Sequence, residues 1–360
     1  MKRSARIVTI TCSSIAMFFL ILDSNTALQG AREGLDLCAR TVIPSLFPFF
    51  VLSILLTSVL AGTKISLLRP ITRFCKMPKG AESLLLVGLL GGYPIGAKCV
   101  YEAWERGQIA EKDAQRCLGF CNNAGPAFIF GMCATLFAEK WVPWVLWGIH
   151  ILSAMMVGYV LPPTKAPNIC KAEKQSISLP EALSRAISAM LGVCGWVVIF
   201  RVVLNVAQRW FLWLLPTDFA VAFAGAIELT NGCVALKAVQ DEPLRFILCT
   251  SFLGFGGLCV ALQTISVVGK LGIGMYLLGK AMQCLFSCGM AVLIASYKYQ
   301  FCSPGAPILF LTILFVALKK TVAFPKRLVY NVRKSCLEET LCYSERKLQS
   351  PAATAPVARE

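Results

Sequence analysis

Residues 83–104 read SLLLVGLLGGYPIGAKCVYEAW, and residues 218–239 read DFAVAFAGAIELTNGCVALKAV. Each is long and apolar enough to pass for a membrane-crossing helix, since a hydrocarbon core about 30 Å thick needs about 20 residues at 1.5 Å rise. Each also carries a weak point at its centre: Gly91-Gly92-Tyr93-Pro94 in the first, Glu228-Leu229-Thr230-Asn231-Gly232 in the second. Proline has no N–H to donate and glycine weakens a helix, so both segments are predicted to break at mid-depth. Two half-helices of about ten residues reach roughly 15 Å, half the bilayer, which lets each segment fold back as a re-entrant hairpin.

The remainder of the chain is of the same kind. With 57% hydrophobic residues, 15% charged residues and a mean hydropathy of +0.68 over 360 positions, an ordinary soluble domain is excluded. Apolar stretches fall near residues 7–22, 42–62, 83–104, 117–138, 141–161, 186–208, 217–239, 246–268, 272–297 and 306–318. The expected fold class is an all-α polytopic membrane protein with about eight spanning helices plus two re-entrant hairpins. Lys2, Arg3 and Arg6 precede the first apolar run, and no small-x-small cleavage site follows Leu22. Residues 1–26 therefore read as an uncleaved signal-anchor helix. A polar linker at 162–178 divides the chain into repeats at 27–161 and 179–297; a final helix is expected over 298–322, and a basic, disordered tail over 323–360.

The two repeats match as patterns. Glu33 and Leu35 with the apolar run ending near Leu56 align with Glu181 and Leu183 and the run ending near Val206, while Gly88 falls opposite Gly225. Charge decides between spanning and re-entry. If all ten segments cross, Lys98, Arg106, Lys112, Arg116, Lys165, Lys171, Lys174 and Arg185 lie outside; if the two broken segments are hairpins, these eight move inside and only Lys140 and Arg209 move out. Cytoplasmic loops collect Lys and Arg, so the hairpins are favoured, with both termini cytoplasmic. The two halves then enter their hairpins from opposite sides, which makes the repeat inverted, an architecture of small-solute transporters. Arg32 and Arg40 stand on the outer side against this pattern, and fit a helix lying at the interface. Lys280 falls inside a span and has no place in it.

The chemistry that remains is that of binding. A net charge of +16 is spread through short loops and the termini, which excludes a nucleic-acid face. The 17 cysteines form no C-x-x-C pair and read mostly as small buried hydrophobes. The lone histidine, His150, lies in an apolar run and reads as a core or interfacial residue rather than a metal ligand. No Ser/His/Asp set, zinc motif or phosphate loop is present, so neither catalysis nor a metal or other cofactor is expected.

Four breaks converge in such a fold: Gly91–Pro94, Cys121-Asn122-Asn123-Ala124-Gly125-Pro126, Glu228–Gly232, and Gly254-Phe255-Gly256-Gly257 with Gln263 beyond. Half-helix N-termini offer N–H groups to an anion, while free carbonyls and Asn or Thr side chains hold a cation, so a coupling ion, sodium or a proton, is compatible with the set. The bland alternative is that Gly and Asn glue membrane helices together. Glu228 is the one carboxylate at mid-segment depth; it reads as a ligand for substrate or cation, or as a structural partner of Arg201 or Lys98. Arg201 is itself either an anion partner or a snorkelling side chain.

At GLLGGYPIGAK (residues 88–98), CNNAGPAFIFG (121–131), ALQGAREGLDLCARTVIPSLFPFFVLSILL (27–56) and ELTNG (228–232), the chain resembles the YlbJ-type sporulation integral membrane proteins. These are placed in the nucleoside-recognition gate-domain superfamily, similar in architecture to concentrative nucleoside transporters. The resemblance implies transport of dipicolinate toward the forespore, in the cell membrane or outer forespore membrane of an endospore-forming bacterium. By position it implies a site of Gly91, Gly92, Tyr93, Pro94, Gly96, Lys98, Asn122, Asn123, Gly125, Pro126, Glu228, Thr230, Asn231 and Gly232. The partners expected are a small-molecule substrate and the lipid bilayer, and an oligomer is compatible with the reading. The competing classes are a nucleoside or other metabolite carrier and a membrane scaffold without transport. The basic tail matches nothing in the family pattern.

Overall fold

The computed structural model describes residues 3–60, 65–163 and 177–299, together with Thr312. Most of the linker, the expected final helix beyond residue 299 and the basic tail lie outside the described residues. The described residues are helical, with no strand among them.

A first helix, α1 (Arg3–Leu22), precedes two runs of elements in the same order. The first run begins with α2 (Ser24–Leu37), which passes through a π turn at Cys38–Val42 into α3 (Ile43–Leu60). Pro44 cannot donate to the carbonyl four residues before it, and the wider turn absorbs that misfit without ending the helix. The short α4 (Arg69–Phe74) follows, then a hairpin of α5 (Glu82–Leu90) and α6 (Ile95–Glu105). Next comes a broken helix, α7 (Glu111–Leu118) and α8 (Pro126–Gly131), and then the straight α9 (Val142–Val160). The second run is α10 (Leu179–Trp210), a hairpin of α11 (Thr217–Ile227) and α12 (Leu229–Ala235), a broken helix of α13 (Glu242–Phe255) and α14 (Gly257–Val268), and the straight α15 (Gly274–Tyr299).

Among the described residues, five helices are long and apolar enough to cross a membrane, Ser24–Leu60, Val142–Val160, Leu179–Trp210, Glu242–Val268 and Gly274–Lys298. The hairpin arms are not. At 7 to 11 residues each spans roughly 10–17 Å, and each folds back on its partner. Hairpin one opens at the end where the Arg116 guanidinium donates to the carbonyls of Cys75 and Gly158, both at 2.5 Å, and where Arg69 pairs with Glu82 at 2.7 Å. Hairpin two opens at the other end, where Arg245 donates to the Leu136 carbonyl at 3.1 Å and Phe137 packs edge-on to Phe246. The two therefore point their tips toward each other from opposite ends.

The interface-helix reading of Arg32 and Arg40 is corrected by this arrangement. α2 is the N-terminal half of one continuous helix that lies antiparallel against α10, with Gly30 against Val202 and Gly34 against Val198. Arg40 pairs with Asp36 one turn away, on the exposed face. Side-chain distribution is inside-out relative to a soluble protein. Leu52, Val59, Leu191, Phe219 and Trp144 stand well exposed on outer faces, whereas Asn122, Asn123, Asn231, Gln283 and Ser287 are fully enclosed. An apolar exterior around a polar interior is what a bilayer solvent demands.

Candidate functional site

The two hairpin tips and the two helix breaks meet at the centre. Gly92 (φ +76°) and Gly256 (φ +81°) take up left-handed backbone, which lets the chain turn at hairpin one and between α13 and α14. A cavity of about 50 Å³ lies among the tips, lined by Gly91, Gly92, Tyr93, Gly125, Glu228, Thr230 and Gln263, with Phe49, Phe50 and Val193 closing it from α3 and α10. The Gly256–Gly257 break sits between the tips: Gly256 abuts the Tyr93 hydroxyl, and Gly257 abuts the Ile227 carbonyl of hairpin two.

Beneath the cavity, the Asn122–Gly125 break is held from four sides. The Asn122 side-chain oxygen accepts the Ala97 N–H of α6 at 3.2 Å, and its amide donates to Thr264 of α14 at 2.9 Å. Asn123 donates to the Phe120 carbonyl at 2.7 Å, and its oxygen accepts from Gln283 of α15 at 3.0 Å. His150 of α9 accepts the Ala124 N–H at 3.1 Å, so the lone histidine is a structural acceptor here. These bonds satisfy Asn122 and Asn123 within the core, while the second ring nitrogen of His150 is buried without a partner.

The structure departs from the sequence-based expectations at several residues. Lys98 is exposed and lines a separate cavity of about 90 Å³, the mouth at the hairpin-one end, with Pro94, Glu102, Arg106 and Arg185. Its neighbour Ala97 turns inward, and one residue is about 100° of helix. Arg201 pairs with Glu33 at 2.7 Å, with Asn205 on the same oxygen at 3.1 Å, so neither the anion-partner nor the snorkelling reading describes it. Nor does Glu228 pair with Arg201 or Lys98. It caps α12, accepting the backbone N–H groups of Thr230 at 3.0 Å and Asn231 at 2.6 Å and the Asn231 side-chain amide at 2.8 Å. Asn231 lines a different cavity, of about 520 Å³, beside Arg201 and Asn205. Gly96 and Gly232 pack against backbone, at Cys121 and Gly225 respectively.

Lys280 is the residue that sequence reasoning could not place. It is 2% exposed and sits directly behind Tyr93, its ammonium 2.9 Å from the Tyr93 hydroxyl, 2.7 Å from the Gln283 side-chain oxygen and 3.4 Å from that of Asn123. No carboxylate pairs with it among the described residues. Elsewhere in the core, the thiols of Cys133, Cys233 and Cys249 come within 4.8 Å of one another, fully enclosed. They pack there as small apolar side chains among Leu229, Leu236 and Phe246.

Fold and site together define an all-α polytopic integral membrane protein whose core is built from two opposed helical hairpins and two interrupted helices. The chain is similar to the sporulation integral membrane protein YlbJ of Bacillus subtilis (strain 168), at 27% identity over 313 residues that cover 72% of this chain and 76% of the relative. That similarity bears out the YlbJ-type resemblance read from the motifs. No protein-family profile matches the chain, and no solved structure matches it.

Proposed function

We propose that this protein carries a small anionic metabolite across a membrane, and that its cargo is dipicolinate moved toward the forespore during sporulation. The observation that carries the reading is the meeting of two hairpin tips and two helix breaks at one cavity. Short half-helices are costly to keep in hydrocarbon, and their convergence on one polar point is the arrangement by which broken-helix carriers hold a solute. The mouth at the hairpin-one end adds a positive charge, since Lys98 stands there beside Arg106, paired with Glu102 at 3.2 Å, and Arg185, paired with Glu181 at 2.6 Å. The cavity is smaller than an aromatic dicarboxylate as it stands, so admitting one requires the elements around it to rearrange. The sporulation setting comes from the relative's name and from the motif resemblance, which also supplies the cargo.

Deletion of the gene in a strain without a paralogue is the direct test. The expected result is mother cells that make dipicolinate and spores that lack it. Spores with a normal content defeat the assignment of cargo and favour a nucleoside, for which Thr230 and Gln263 in the cavity wall are suitable hydrogen-bonding groups.

Orientation is open to a separate measurement. The hairpin-one end carries Arg69, Arg73, Lys76, Lys79, Arg106, Lys112 and Arg116, and the positive-inside bias assigns it to the cytoplasm of the cell membrane or outer forespore membrane. A compartment reporter fused at Lys171 should therefore give a cytoplasmic signal. An external signal there reverses the assignment of both hairpins.

A further inference from the structure

Lys280 is buried within a membrane-spanning helix with only neutral partners, and an ionisable group so placed is rare in membrane interiors unless it is used. The cage around Lys280 is arranged to accept from an ammonium. An ammonium has three protons to donate, and three oxygens accept them: the Tyr93 hydroxyl, Gln283 Oε1 and Asn123 Oδ1. The amides are fixed with their oxygens facing Lys280, because their nitrogens are engaged elsewhere, Gln283 on the His150 carbonyl at 3.3 Å and Asn123 on the Phe120 carbonyl. The Tyr93 ring also lies under the ammonium, 5.0 Å from Nζ to its centroid.

Tyr93 is the one member of this cage that also lines the central cavity. Its O–H donates to the Leu253 carbonyl at 3.3 Å, a long bond that a better acceptor can replace. We infer that Lys280 is the specificity-determining charge of the site: it selects a carboxylate-bearing cargo through Tyr93, whose hydroxyl turns its proton from Leu253 to the cargo while still accepting from Lys280. This rests on the carrier reading above and deepens it, by naming the residue that makes the cargo an anion. A carboxylate acceptor makes the hydroxyl bond shorter and charge-assisted, and brings a negative charge next to the uncompensated positive one. An uncharged analogue gains neither.

The test uses the purified full-length protein in nanodiscs and two probes of one shape, pyridine-2,6-dicarboxylate and its uncharged diamide, with binding followed by calorimetry. The wild type is expected to prefer the dicarboxylate. In Lys280→Gln that preference should fall by roughly 10- to 100-fold, with diamide affinity within about threefold of wild type. Tyr93→Phe, which leaves the lysine in place, should lose part of the same preference and provides the reading if Lys280→Gln does not accumulate. Unchanged dicarboxylate preference in either folded variant overturns the inference and leaves the carrier reading standing. A wild type that binds a nucleoside and neither pyridine probe overturns both.

Discussion

Alanine at Gly88 or at Gly96 is expected to cut the protein recovered from the membrane at least about tenfold, because neither site has room for one methyl group. A Cβ at Gly88 would lie 2.1 Å from the Cys121 carbonyl oxygen, and one at Gly96 would lie 2.2 Å from the same atom. The obstruction is backbone, which no rotamer change relieves. Hairpin one closes on itself and on the Asn122–Gly125 break at this point, so the break, the tip and the cavity lose their geometry together. Hairpin two is built likewise, with Gly225 against Gly232 and under the Phe252 ring. The controls are Gly148→Ala, Gly192→Ala and Gly195→Ala, where nothing stands within 4 Å of the added carbon. Immunoblotting of membrane fractions reads all five. Normal accumulation of the Gly88 and Gly96 variants would mean that the arms do not cross as described.

How much of this was legible in the sequence depended on where each residue's partner lay. The break at Gly91–Pro94 could be seen because its cause is local: two glycines and a proline in the middle of an apolar run. The meeting of Gly92, Gly125, Glu228 and Gln263 around one cavity followed from pairing two such segments as repeats, which needed only pattern and charge. Lys280 gave no such signal, since its partners Tyr93 and Asn123 stand 187 and 157 positions away and nothing in LLGKAMQ (residues 277–283) indicates them. Arg201 was undecidable for the same reason, its partner Glu33 being 168 positions distant. Lys98 is the opposite case. It belongs to the motif string, but a helix turns about 100° per residue and carries it to the mouth. Distance along the chain hides a charge pair, and proximity along it suggests contacts that helical rotation removes.

Glu228 provides the sharpest separation of a positioning role from a direct one, because two substitutions pull them apart. Its oxygens are engaged by three donors of the α12 N-terminus, so its immediate effect is to fix the tip of hairpin two. Glu228→Gln replaces one acceptor with an NH₂ group that faces N–H groups, leaving at least one buried donor unsatisfied at a cost of about 1–3 kcal/mol. Glu228→Asp shortens the side chain but keeps both oxygens, and aspartate ranks among the best helix caps. The expected result is that Glu228→Asp keeps both thermal stability and transport of labelled dipicolinate in proteoliposomes. Glu228→Gln should melt lower and lose at least about tenfold in rate. This ordering follows if the carboxylate works by holding the tip where Thr230 can line the cavity. A Glu228→Asp protein that is as stable as wild type yet carries nothing would show the reverse. The oxygen's position in the cavity, and hence its contact with cargo or a coupling cation, would then be what transport requires.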